Sequence, residues 1–166
     1  MDNPRIIKLK KYKDKRGFFK NILDERITKK LGISRDITKY QISISHNKKR
    51  VLRGLHYQSP MQNKLIYLLE GKIQDIAVNI DKKSKNYGKS YEFILRKDTD
   101  LLYIPKKFAH GFCALEKSTI IYLLDKNYNS NKEVTLDWSD ETLNINWKYK
   151  NPILSSKDSE GKAFGK

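Results

Sequence analysis

The sequence is poor in cysteine, histidine and acid. Its single cysteine, Cys113, excludes an internal disulfide and fits a reducing, cytoplasmic setting. The three histidines are His46, His56 and His110, with no His-x-His pair. A metal site needs several suitable ligands held together, so no metal and no other cofactor is expected. No apolar run reaches the roughly 18 residues of a transmembrane helix, so no membrane partner is expected. The opening residues, Met1 to Arg5, lack the apolar stretch of a signal peptide. Acidic residues number 19 against 35 lysines and arginines, a formal charge of +16. That balance favours an anionic partner. The basic residues are scattered, however, and no zinc-finger spacing, helix-turn-helix pattern or aromatic RNA-binding signature accompanies them, so no nucleic acid is expected.

What is present is a polar-surfaced globular chain, 38% hydrophobic and 33% charged over 166 residues. Its length predicts one domain over 1–166, with 161–166 as a loose tail. Residues 5–12 read as a first strand, 14–17 as a turn and Phe18-Phe19 as a second short strand. Ile22, Leu23, Ile27 and Leu31 recur at helical spacing, predicting a helix over 22–31 that Gly32 stops. From residue 39 the period changes to two. The expected strands are 39–45, 50–58, 64–70, 73–80, 90–96, 101–104, 110–115 and 119–125, with a tight hairpin at Glu70-Gly71-Lys72. A final helical turn is expected from Ser155. Many short strands with one or two short helices predict an all-β fold, an antiparallel β-barrel or jelly roll.

The stretch with most chemistry is Val51 to Gln58, an apolar strand carrying Arg53, Gly54 and His56. Alternation puts Gly54, His56 and Gln58 on one face and Val51, Leu55 and Tyr57 on the other. A glycine inside a strand marks a bulge or a close backbone approach, either of which re-aims Arg53 toward the side of His56. A core strand with one satisfied histidine explains the local pattern equally well.

Several stretches together resemble one family, the dTDP-4-dehydrorhamnose 3,5-epimerases, cupin-fold enzymes acting on sugar nucleotides. They are Asp14-Lys-Arg-Gly-Phe-Phe, Tyr40-Gln-Ile-Ser-Ile-Ser, Arg53-Gly-Leu-His-Tyr-Gln, Gln62-Asn-Lys-Leu and Gly71-Lys-Ile-Gln-Asp-Ile-Ala-Val. Ile104-Pro-Lys-Lys-Phe-Ala-His-Gly-Phe, Tyr122, Tyr128 to Glu133, Trp138-Ser-Asp and Leu154-Ser-Ser-Lys-Asp follow in the family's order. The resemblance implies His56 as base, oriented by Asp158, with Tyr122 as proton donor and Lys64 as the cation that stabilises an enolate. It implies substrate contacts at Arg16, Phe19, Asn21, Gln41, Ser43, Arg53, His110, Tyr128, Glu133 and Lys157, with Asp75 in support. Tyr128 matches a ring that stacks on the base. It also implies a homodimer in which the N-terminal strands carrying Arg16 and Phe19 reach the neighbouring site. The sequence departs from the family pattern at Asn21 (glutamate), Ser43 (asparagine), Asn79 (aspartate) and Lys107 (glycine). The first two fall in the nucleotide-binding part and leave the base and the sugar open.

The chemistry asks for these residue types. In a 4-keto sugar the hydrogens at C3 and C5 are α to a carbonyl, and removing one leaves an enolate with its charge on the C4 oxygen. Imidazole, with a pKa of about 6.5, is a weak base for so poor an acid, so the enolate needs a cation. Inversion then needs a second acid on the opposite face. Each residue also has a plain reading: Lys64 as a strand-end lysine, Tyr122 as core filling, Asp158 as part of a helix cap, His110 as a turn cap. The functional alternatives are an epimerase acting at one carbon, a 3,4-ketoisomerase on another deoxysugar nucleotide, and a non-catalytic basic cupin that binds polyanions.

Overall fold

The computed structural model describes residues 3–97 and 99–165. Twelve strands and two short helices follow one another as β1 (Arg5–Ile7), β2 (Lys11–Asp14), β3 (Gly17–Lys20), α1 (Glu25–Leu31), β4 (Gln41–Asn47), β5 (Leu52–Gln58), β6 (Lys64–Glu70), β7 (Lys72–Asn79), β8 (Ser90–Arg96), β9 (Leu101–Ile104), β10 (Phe108–Ala114), β11 (Ser118–Leu124), β12 (Glu133–Thr135) and α2 (Ser156–Ser159). One antiparallel sheet has the order β1-β9-β6-β11-β4, the other β12-β5-β10-β7-β8, and β2 pairs only with β3. The result is a jelly roll with a small hairpin appended, as the strand pattern predicts.

Three apolar layers hold it. Between the sheets, Ile66, Leu102 and Ile120 meet Ile73, Phe108 and Phe112. Outside the first sheet, Ile27 and Leu31 of α1 cover Leu65, Tyr67 and Leu123. Outside the second sheet, the C-terminal segment brings Leu136, Leu143 and Trp147 over Leu52, Ile76 and Cys113. Burying these side chains on both faces of each sheet supplies the hydrophobic stabilisation that fixes strand register.

Three sequence expectations are corrected. The strand expected over 5–12 is two, because β1 joins the first sheet while β2 turns away into the hairpin. The helix begins at Glu25, capped by Asp24 accepting from the Ile27 amide, and Gly32 ends it at φ 63°. Ile22 and Leu23 mimic helical periodicity because they pack on the same core from the preceding loop. The tail over 161–165 is tied down rather than loose. Lys162 bonds both Thr135 and Asp137, the Phe164 amide donates to Asp140 at 2.7 Å, and the Phe164 ring stacks on Tyr87 at 4.8 Å. Lys166 lies outside the described residues. Among those described, no helix is long and apolar enough to cross a membrane.

Candidate active site

The inter-sheet core stops at Phe112 and Tyr122, and beyond them the sheets enclose a cavity of about 640 Å³. Strand β5 shapes it. Against β10, His56 faces His110 but Arg53 faces Phe112, so β5 carries one extra residue. Gly54 sits in this bulge at φ 118°, and a Cβ there would lie 2.5 Å from the Gly111 Cα and 2.7 Å from the His110 oxygen. Only glycine fits both the backbone angle and the gap. The bulge lets Arg53 and His56, three apart in sequence, both face the cavity.

His56 is held from behind. Its Nε2 lies 2.6 Å from Asp158 Oδ1. The same carboxylate accepts the Gly54 amide at 3.2 Å and the Ser155 hydroxyl at 2.7 Å. Ser155 caps α2 and receives the Asp158 amide in return. Asp158 therefore both caps a helix and reaches His56. Burial pushes its carboxyl up, but the bonds from His56 and Ser155 outweigh that and hold it below the usual carboxylate range. An ionised Asp158 can only accept, so His56 carries its proton on Nε2 and leaves the Nδ1 lone pair free. Nδ1 stands 3.6 Å from Glu133 Oε1, beyond a normal hydrogen bond.

Lys64 and Tyr122 come from the opposite sheet, on β6 and β11. Lys64 is buried, with Nζ donating to the His56 carbonyl at 3.1 Å. Burial lowers its pKa to about 8, against the opposing pull of the Glu133 and Asp75 charges. It is no strand-end surface lysine. The Tyr122 hydroxyl reaches the cavity 3.3 Å from Ser45 Oγ, and burial raises its pKa well above the ordinary phenol value. His110 lies mid-strand and buried, not at a turn, and its Nε2 meets the two Asp75 oxygens at 3.0 and 2.9 Å.

Gln41, Ser43, Arg53, Tyr128, Glu133 and Lys157 also line the cavity. The Tyr128 amide donates to Gln41 at 2.6 Å, its hydroxyl to Glu133 at 2.9 Å, and Lys157 pairs with Glu133. Arg16, Phe19 and Asn21 do not join them. Phe19 is 65% exposed on the β2–β3 hairpin, and Arg16 folds back on Asp14. Asp75 stands behind His110. The sequence reading missed Ser45, Gln58, Gln62 and Ser155 on the cavity wall, and Asn47 behind it. In Gln41-Ile-Ser-Ile-Ser alternation puts Ser45 on one face with Gln41 and Ser43, without saying whether that face meets solvent or a cavity. Among the described residues, no three His, Cys, Asp or Glu side chains gather closely enough to hold a metal ion.

The arrangement brings an imidazole and a phenol from facing sheets, and a buried lysine, to the wall of one cavity. Comparison with known proteins gives the family. The dTDP-4-dehydrorhamnose 3,5-epimerase family model matches residues 1–166. The epimerase of that name from Shigella flexneri is 36% identical over 163 residues, covering 96% of this chain and 90% of the relative. A dTDP-6-deoxy-D-glucose-3,5-epimerase from Legionella pneumophila, solved with dTDP-4-keto-L-rhamnose, superposes with a TM-score of 0.90 at 34% identity, covering 98% of this chain and 88% of that one. A dTDP-4-dehydrorhamnose 3,5-epimerase from Bacillus anthracis, solved with TDP and pyrophosphate, gives 0.86 at 31% identity, covering 96% and 99%.

Proposed function

The chain belongs to the dTDP-4-dehydrorhamnose 3,5-epimerase family, and from that premise we propose that it inverts C3 and C5 of a nucleoside-diphosphate 4-keto-6-deoxyhexose. The conversion is of the type dTDP-4-dehydro-6-deoxy-D-glucose to dTDP-4-dehydro-L-rhamnose. The observation that carries the reading is that His56 and Tyr122 stand on different sheets and face one cavity.

In this reading His56 Nδ1 takes the α proton, the C–H electrons form the enolate, and the charge moves to the C4 oxygen. The buried Lys64 ammonium meets that charge, a contact worth roughly 3–4 kcal/mol where water is excluded. Tyr122 then breaks its O–H bond to form the new C–H bond from the other face and regains a proton from solvent. The imidazolium left on His56 is stabilised by Asp158 and loses its proton to solvent before the second centre reacts. Arg53 and Lys157 offer charge-assisted bonds to the diphosphate, and the exposed Tyr128 ring offers a stacking surface to the base.

The proposal includes a homodimer. Strand β4 is a sheet edge whose Ile42 and Ile44 are 56% and 67% exposed, and the separate β2–β3 hairpin presents the exposed Phe18 and Phe19. A second copy would cover this apolar surface and receive Phe19 and Arg16 at its own cavity. The free, buried Cys113 thiol fits a reducing, cytoplasmic setting.

Proton NMR of dTDP-4-keto-6-deoxyglucose with the protein in D2O tests the reading. Deuterium should enter at both C3 and C5 with inversion. Exchange at one carbon makes it a mono-epimerase, and no exchange at either carbon overturns the enzyme assignment.

A further inference from the structure

Behind Tyr122 runs a chain of three side chains, of which the reaction as described uses only Arg53. Arg53 Nε lies 2.9 Å from Asn47 Oδ1, Asn47 Nδ2 lies 3.0 Å from Ser45 Oγ, and Ser45 Oγ lies 3.3 Å from the Tyr122 hydroxyl. Asn47 is 1% exposed, so its amide is committed to these partners.

The orientation of Asn47 is fixed at the far end of this chain. A guanidinium only donates, so the atom of Asn47 facing Arg53 must be the carbonyl oxygen. The Ser118 carbonyl, 3.5 Å from Nδ2, only accepts and fixes the same orientation. Asn47 therefore offers Ser45 a hydrogen. With one lone pair taken by the amide, the Ser45 hydroxyl is free to turn its own proton to the next oxygen, that of Tyr122, 3.3 Å away. The phenol then receives a hydrogen bond from behind and keeps its own proton free. Were the chain reversed, Tyr122 would spend that proton on Ser45.

We propose that Asn47 and Ser45 are positioning residues that, anchored by Arg53, set the hydrogen-bond direction at Tyr122 so that its proton points into the cavity. This rests on Tyr122 being the acid. It has a second consequence: a hydrogen bond received from Ser45, together with the Arg53 charge, favours the phenolate left after donation, against the burial that disfavours it. The chain thus ties a residue on the expected phosphate side of the cavity to the group that protonates the sugar.

The test compares deuterium exchange with inversion on dTDP-4-keto-6-deoxyglucose in D2O, using the full chain. Asn47→Asp keeps the volume but replaces the donor with an acceptor, which turns Ser45, and then Tyr122, away from the cavity. The ratio of exchange to inversion should rise on the order of tenfold, part of the loss expected for a missing general acid. Ser45→Ala should raise it too, and Ser45→Thr, which keeps the hydroxyl, should restore it. A general packing defect would slow exchange and inversion together and leave the ratio alone. In a Tyr122→Phe background neither change should alter the ratio further. If Tyr122→Phe loses inversion while Asn47→Asp and Ser45→Ala keep the wild-type ratio, the positioning chain is overturned and Tyr122 stands as the acid. If Tyr122→Phe inverts at near wild-type rate, both fall. Should Asn47→Asp fail to fold, Ser45→Ala and its threonine counterpart decide.

Discussion

Asp158 meets His56 across 102 positions of sequence, with 2.6 Å between Oδ1 and Nε2. The carboxylate is the third residue of a short helix, and the cap that starts the helix also orients the acid. An amide there cannot accept from Gly54, Ser155 and His56 together. Asp158→Asn should therefore unseat the His56 tautomer and slow exchange at both sugar carbons by about 10²-fold or more. The measurement is deuterium incorporation by NMR, with thermal unfolding as a check on the fold. Exchange at wild-type rate would show that Asp158 only caps the helix.

Lys64 links pH to both activity and stability. Its folded pKa of about 8 lies below the ordinary lysine value of 10.5. As pH rises through about 8 the ammonium is lost, so kcat/KM should fall on the alkaline side. Stability runs the other way. The unfolded chain binds more protons than the folded one between about 8 and 10.5, so this group's burial cost is full below 8 and fades toward 10.5. That cost is on the order of 3 kcal/mol from the size of the shift. Lys64→Met should raise the thermal midpoint at pH 6, lose that advantage as pH approaches 10.5, and be inactive throughout. A midpoint gain that does not depend on pH would contradict this account.

Gly54→Ala probes the bulge. The added methyl would meet backbone at 2.5 and 2.7 Å, on a residue held at φ 118°. Destabilisation of about 2–4 kcal/mol is expected from strain and overpacking together. Chemical denaturation measures it. A loss under about 0.5 kcal/mol, typical of an ordinary surface change, would mean that β5 and β10 can separate without cost.

The sheet edge makes the last prediction. Charged residues at the exposed positions of β4, as in Ile42→Lys with Ile44→Lys, should give a monomer by sedimentation equilibrium. Activity should fall with it, because in the proposed dimer the partner hairpin supplies Phe19 and Arg16. A double variant that sediments as a dimer would place the interface elsewhere.

The strands were legible wherever one face is apolar and the other polar, as in Gln41 to Asn47, and wherever a long apolar run is bounded by turns, as in Lys64 to Glu70. Gly54 left a bulge and a close backbone approach both open in the sequence, and the structure has both there. Where the chain leaves a sheet, sequence signals fail. Nothing between Ile7 and Lys11 says that β1 and β2 part company, and β12 is too short, at three residues, to show a period. The tail was misread because its anchors are backbone bonds at Lys162 and one ring contact at Phe164, neither of which leaves a pattern. Ser45 was hidden for another reason. A serine on an alternating strand looks the same whether it faces solvent or an acid.

Glu133 accepts from Lys157 and from the Tyr128 hydroxyl on a single oxygen. The carboxylate thus holds a lysine and an aromatic ring in place on one wall of the cavity. On the proposed reading, in which Lys157 contacts the diphosphate, an incoming phosphate competes with this internal rival for Lys157. The competition trims affinity, and it also hastens departure, because the lysine has a carboxylate to return to the moment the nucleotide loosens. A site built this way favours turnover over retention.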